Sequence, residues 1–481
     1  MSVSTTSTND PAAGLRVASS RATPASAERD AEAELLSSAA FGDHIAAVAH
    51  TWQAALAAEA LDTVIVSAGS ATYYFRDDQA PPQRVNPHFA QWFPDAAVEH
   101  CELVVGGSKP KLLFYQPADF WHQPPSVPAW ADAHFDVEVH ASLETLSRSR
   151  EEACAGSNAV AHIGPQPLTD APSGAQHNPA ALLDRLEYAR AAKTPFELAA
   201  MRAASRRAAR GHVAAVDAYT AGGSEFDCYL AYLAAVDNVS AEQPYSAIVA
   251  HNAHAGVLHY QHYARARESF AYSFLIDAGA NALGYASDVT RTVAGADAPV
   301  EFGALIERLD GEQRALIEAI TAGTAYPDLQ GAMMDRICAL LVEAGVLLCG
   351  VEEAIDKRLA DPFMPHGLGH LLGLQTHDVG GHLAGPDGGV APPDPRFPAL
   401  RLTRSLDPNT VITIEPGIYF IPMLLDELRA SSAGGLVDWD LIARLLPCGG
   451  IRIEDNVRVR TGEAPENFTR DAFDLVAAER A

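Results

Sequence analysis

The sequence predicts two folded domains, an α/β domain over residues 31–185 and an α+β domain over residues 186–481. Three observations predict them. Short apolar strand patterns alternate with a helical one before residue 185. A long alanine-rich helical segment opens the second part. After residue 240, strand and helix patterns mix without regular alternation. The chain has 481 residues and is 48% hydrophobic, enough for more than one buried core.

In the first domain, "DHIAAVAHTWQAALAAEAL" reads as a helix and "DTVIVSAG" as the buried strand after it. "CELVVGG", "PKLLFYQP" and "AVAHIGP" read as further strands. Between them, "SATYYFRDDQAPPQRVNPHFAQWFP" reads as a long aromatic and proline-rich loop, a type that often serves function or subunit contact. Residues 1–30 are rich in Ser, Thr and Ala, without the apolar stretch of a secretory signal, and read as a disordered tail.

In the second domain, Thr194-Pro195 marks a helix start within the segment 178–219. "SFLIDAG", "VITIEPGIYFI" and "GIRIEDNVRV" read as strands, with helices at "FGALIERLDGEQRALIEAI" and "DLQGAMMDRICALLVEAGVL".

The formal net charge is −27 at pH 7, a field that repels nucleic acid and anionic membrane surfaces. No apolar run reaches the roughly 18–20 residues that span a bilayer. Six scattered cysteines with no CxxC pair fit a reducing, cytoplasmic setting.

Four carboxylates sit on strand patterns. In "FLIDAGANALGYASDVTRTV", a hairpin centred between Ala282 and Leu283 sets Asp277 directly opposite Asp288. Opposed like charges destabilise a ladder unless a cation lies between them. Glu415 ends an apolar strand, where an unpaired charge is costly. Glu454 shares a strand face with Arg452 by the two-residue period, and a solvated ion pair accounts for that strand taken alone. "PHGLGHLLGLQTHDVGG" carries His366, His370 and His377, and its glycines argue against a helix. Two Asp, two Glu and one His form a plausible ligand set for two divalent ions, of the oxygen-rich kind that favours Mn²⁺, Mg²⁺ or Co²⁺.

"DAGANALGYASDVTRT", "HGLGHLLGLQTHDVGG", "TIEPGIYFI" and "GGIRIEDNV" together resemble the pita-bread metallopeptidases. They look most like the Xaa-Pro dipeptidases (prolidases), in the bacterial branch that includes organophosphorus acid anhydrolases. The resemblance runs from about residue 31 to the end. It implies a creatinase/prolidase-like α/β N-terminal domain and a pita-bread catalytic domain with two divalent ions, Mn²⁺ foremost. It implies Asp277 on one ion, His370 and Glu415 on the other, and Asp288 and Glu454 bridging both. A bridging hydroxide would attack the scissile carbonyl, with Glu415 as proton shuttle.

The resemblance also implies His377 and His259 as active-site histidines, His366 and Tyr245 on the substrate side, and Arg401 as the ligand for the substrate's proline carboxylate. Arg452 would orient Glu454, Tyr326 would line the pocket, and Trp92 would sit on a loop reaching the neighbouring subunit's pocket of a homodimer. His251, His254 and His262 have no counterpart and read as surface residues. The expected activity is hydrolysis of Xaa-Pro dipeptides. Alternatives are an Xaa-Pro aminopeptidase acting on longer peptides, organophosphate triester hydrolysis as a side activity, and a metal-free binding module on the same fold. The last predicts broken ligand positions, and all five are intact here.

Overall fold

In the N-terminal part, the central strand Thr63–Ser67 has five apolar or small residues that are all buried, because helices cover both faces of its sheet. A computed structural model describes residues 24–95 and 98–481. The sheet has six strands, in the order Asp136–His140, Lys111–Tyr115, Glu102–Val105, Thr63–Ser67, Val160–Ile163 and Gln176–His177. It is mixed, with Thr63–Ser67 antiparallel to Glu102–Val105 and parallel to Val160–Ile163. Successive side chains alternate across it. Val64 and Val66 pack with Trp52 of the helix Ala39–Ala58, while Ile65 packs with Leu146 of the helix Leu143–Ala153. Strand Asp136–His140 was not recognised in the sequence, since its exposed and half-buried residues lack an apolar run.

Residues 24–30 belong to a helix, Pro24–Leu36, so the predicted tail is shorter than expected. Residues 1–23 of that tail lie outside the described residues. Residue 185 lies inside the helix Ala180–Arg190. The helix Pro195–Thr220 then starts as predicted. Thr194 accepts from the Glu197 N–H while Glu197 accepts from the Thr194 N–H, a reciprocal cap.

The C-terminal part is built on two antiparallel ladders. Ser273–Asp277 lies between Ile248–His251 and Thr290–Ala294. The second ladder pairs Val411–Ile414 with Asp455–Arg458, and Gly417–Tyr419 with Gly450–Arg452. The register is the same on both sides of the break at Glu415-Pro416. Proline has no N–H to give the ladder, so the pairing is interrupted there. Helices Val300–Glu318 and Tyr326–Glu343 cover these strands with an apolar cluster that includes Leu309, Met333, Ile414 and Ile451. The segment 425–446 adds helical turns to that same cluster through Leu425 and Leu441. No helix among the described residues is long and apolar enough to cross a membrane.

Candidate metal centre and active site

The turn of the Asp277–Asp288 hairpin lies one residue further along than predicted. Tyr285 pairs with Ala282, so Leu283 and Gly284 form the two-residue turn, with φ of 52° and 83°. Such a turn needs two left-handed residues, and Gly284 adopts the second at no steric cost. Asp277 therefore faces Thr290 and not Asp288. Asp288 is displaced from Thr290 by two residues, one full side-chain period, so it still projects to the side of the ladder that Asp277 occupies.

On the second ladder, the register from Ile414↔Asp455 to Gly417↔Arg452 sets Glu415 opposite Glu454. Glu454 leaves that ladder, and its N–H donates to the Thr290 carbonyl at 3.1 Å. The two hairpins are joined at this point, and it brings their carboxylates together.

His370 comes from the third segment, which is irregular, as its glycines predict. Its Nδ1–H donates to the Leu371 carbonyl at 2.9 Å. That bond leaves the Nε2 lone pair facing the carboxylates, 3.4 Å from Asp288 Oδ2 and 3.7 Å from Glu415 Oε1. Metal-binding histidines commonly donate their other ring N–H to a backbone carbonyl in this way. One ligand atom each from Asp288, His370 and Glu454 lie within 4.8 Å of one another. Donors about 2.0–2.2 Å from a shared ion have separations of this order.

The electrostatics call for cations. Burial pushes the Glu415 carboxyl up to about 7, and Asp288 adds to the rise. Glu454 is pushed well above the carboxylate range by burial and by its acidic neighbours. Burial also raises Asp277, which Arg452 opposes. Burial works against the Asp288 anion, but hydrogen bonding and charge from His370 bring it below the ordinary value. His370 is raised in turn, because those carboxylates outweigh its burial. The donor set and its crowded charge fit divalent metal ions.

Partners around the centre hold these groups in place. The Tyr245 hydroxyl donates to Asp277 Oδ1 at 2.7 Å, and Arg452 Nη2 donates to Asp277 Oδ2 at 2.6 Å. The Thr290 hydroxyl donates to Glu454 Oε2 at 2.7 Å and accepts from Arg452 Nε at 3.3 Å. His366 Nε2 accepts from the Tyr419 hydroxyl at 2.9 Å, and that oxygen accepts from Arg452 Nη1 at 2.8 Å. Burial, aided by Arg452, holds His366 down at about 4. His377 stands edge-on to His370, ring centres 4.5 Å apart, and burial holds it at about 4 as well.

With the exceptions of Trp92 and Tyr326, every predicted site residue lines one cavity of about 1620 Å³. Trp92 is fully buried in the N-terminal core, edge-on to Trp52 at 5.5 Å. The Asn86 side chain caps a short helix, Pro87–Ala90, which turns Phe89, Trp92 and Phe93 inward. A side chain so enclosed cannot reach a neighbouring subunit. Tyr326 is also displaced from its predicted place: it is buried behind the centre, donating to the Thr413 carbonyl at 2.9 Å. His262 is exposed as read, but His251 is buried and His254 is bound to the buried Glu225 at 2.7 Å.

Sequence reasoning missed Thr290 and Tyr419, although Thr290 lies two residues beyond Asp288, on the same strand face, and Tyr419 lies within the quoted "TIEPGIYFI". It also missed Asp378, next to His377. The Asp378 carboxylate is buried between Arg190 at 2.6 Å and Lys193 at 3.0 Å, and ties the histidine loop to the segment that joins the two parts of the chain.

Residues 199–461 match the model of metallopeptidase family M24, and residues 39–188 match the N-terminal domain of Xaa-Pro dipeptidases. The sequence is 42% identical over 439 residues to a Xaa-Pro dipeptidase of Xanthomonas campestris pv. campestris, covering 90% of this chain and 97% of that protein. It is 40% identical over 441 residues to a Xaa-Pro dipeptidase of Stenotrophomonas maltophilia, covering 90% and 97% respectively. Aminopeptidase P of Escherichia coli, solved with the inhibitor Pro-Leu, matches with a TM-score of 0.67 at 21% identity, over 90% of this chain and 99% of that one. An aminopeptidase of Pseudomonas aeruginosa matches with a TM-score of 0.69 at 23% identity, over 91% and 98%. The fold is the two-domain pita-bread architecture of these structures.

Proposed function

Because this chain belongs to metallopeptidase family M24, among its Xaa-Pro dipeptidases, we propose that it hydrolyses Xaa-Pro dipeptides with two divalent ions, Mn²⁺ foremost. Asp277, Asp288, His370, Glu415 and Glu454 would hold the ions. The observation that carries this reading is the convergence of Asp288, His370 and Glu454 within 4.8 Å from three separate segments.

Divalent ions bound there supply a polarised carbonyl and a water of lowered pKa. The chain's own residues do the rest. Glu415, at the cavity wall beside His370, would take a proton from the attacking water and pass it to the departing proline nitrogen. His377 and His259 stand at the cavity wall to stabilise the oxygens of the tetrahedral stage, with His366 on the substrate side. Arg401 lines the cavity and makes no hydrogen bond or ion pair among the described residues, which leaves its fork for a substrate carboxylate. A longer peptide has no carboxylate at that place.

The second reading is an Xaa-Pro aminopeptidase. The cavity volume of about 1620 Å³ favours it, since small-ligand pockets usually hold roughly 300–1,000 Å³. Hydrolysis of Gly-Pro, Ala-Pro and Leu-Pro against Ala-Pro-Ala decides between them, using chelated protein with Mn²⁺ restored. Metal-dependent cleavage of the dipeptides alone is expected. Cleavage of the tripeptide moves the protein to the second reading, and cleavage of neither discards both.

The division into residues 31–185 and 186–481 is supported by the six-stranded sheet, whose strands all precede residue 178. A cytoplasmic setting is supported by six unpaired cysteines. A homodimer is supported by the exposed aromatics Tyr73, Phe75, Phe120 and Trp121, apolar surface that a second copy of the chain would cover.

A further inference from the structure

We propose that Glu225 is a positioning residue for His259, an inference that rests on the dipeptidase reading above. Glu225 is the first residue of the helix Glu225–Val236 and is 1% exposed. Its carboxylate accepts four hydrogen bonds, and all four donors belong to residues 251–264. Oε1 accepts from the His251 N–H at 2.8 Å and from His254 Nδ1 at 2.7 Å. Oε2 accepts from the Tyr260 hydroxyl at 2.8 Å and from the Ala264 N–H at 2.6 Å. A buried anion is tolerated only where its lone pairs are filled, so this segment and Glu225 fix each other.

Leu258 and His259 carry this segment into the cavity wall. The His259 ring is exposed and makes no hydrogen bond among the described residues. Its place is therefore inherited from the backbone on either side, between His254 and Tyr260, both of which Glu225 holds. His254 and Tyr260 also stack, ring centres 4.4 Å apart. On its far side the segment abuts Gly449, where an added Cβ would lie 2.3 Å from the Asn252 carbonyl oxygen. Gly449 immediately precedes the strand Gly450–Arg452, so the segment is set against the element that carries Arg452.

Glu225→Gln turns one acceptor into an N–H donor, facing either the His251/His254 or the Tyr260/Ala264 donors. The test is a double-mutant cycle of wild type, Glu225→Gln, His259→Ala and the double variant. It reads kcat/KM on Gly-Pro with Mn²⁺ restored, together with bound metal and Tm. Glu225→Gln is expected to cost about ten- to a hundredfold when His259 is present, the range for a misplaced active-site group. It is expected to cost less than about twofold when His259 is already Ala, because coupled sites are non-additive. Metal content stays unchanged. Equal losses in both backgrounds, or a loss that tracks metal content, overturn the proposal. Tyr260→Phe, which removes one donor only, carries the same cycle if Glu225→Gln does not fold. If wild type cleaves no dipeptide, the dipeptidase reading fails, and hydrogen exchange decides the positioning. Faster exchange across 254–264 with retained protection in 273–277 supports it, and unchanged exchange overturns it.

Discussion

Arg452 and Asp277 are joined by a 2.6 Å hydrogen bond between Nη2 and Oδ2, across 175 residues of chain. The same guanidinium reaches Tyr419 and Thr290, so one buried cation holds three groups around the carboxylate cluster. Arg452→Met is expected to lower metal affinity and activity about 10- to 100-fold, the usual cost of losing a partner behind a metal ligand. Isothermal titration with Mn²⁺ on chelated protein, beside initial rates on Gly-Pro, checks it. Unchanged affinity removes Arg452 from this role.

Asp288 is proposed to bridge both ions, so Asp288→Asn is expected to cost more than Arg452→Met, beyond about a hundredfold in activity. Elemental analysis after dialysis should find less bound metal, while the circular dichroism spectrum stays that of wild type. An active, metal-loaded Asp288→Asn protein would contradict the ligand set.

Arg401 is expected to act on substrate affinity. Arg401→Ala should raise KM for Gly-Pro by about 10- to 100-fold, the loss of a hydrogen bond to a charged group worth about 1.5–3 kcal/mol. Wild type should also discriminate against Gly-Pro amide, and the variant should not. Equal discrimination in both proteins rejects a carboxylate contact.

Trp92 separates stability from activity. Trp92→Ala removes a fully buried indole from the N-terminal core and is expected to cost about 3–5 kcal/mol of stability. Rates per folded molecule should be close to those of wild type. A specific loss of kcat in stably folded variant would return Trp92 to the site.

Stability should also depend on pH through His212. Its ring is buried, with Nε2–H donating to the Ala278 carbonyl at 2.9 Å. Burial pushes the imidazole down to about 3, from 6.5. Between those values the unfolded chain binds a proton that the folded one refuses. Stability is therefore expected to fall as pH falls from 6.5 toward 3. His212→Gln keeps an N–H for Ala278 and cannot titrate, so its Tm should decline less over that window. Parallel Tm–pH curves for the two proteins would exclude the assignment.

The sequence by itself determined the helix start at Thr194-Pro195 and the irregular histidine segment, both encoded within a few residues, in a cap and in glycines. The candidate metal ligands were legible through the family resemblance of four separate motifs, not through strand period. The tertiary structure alone decided the hairpin register, in which Asp277 faces Thr290 rather than Asp288, and the departure of Glu454 from its ladder toward Thr290. It alone placed Trp92 in a core, Tyr419 and Thr290 behind the carboxylates, and four donors on Glu225. The physical reason is distance along the chain. Local conformational preference fixes what a short segment becomes, but the partners that fill a buried polar group's hydrogen bonds come from distant segments, as Arg190 does for Asp378 across 188 residues, and only packing selects them.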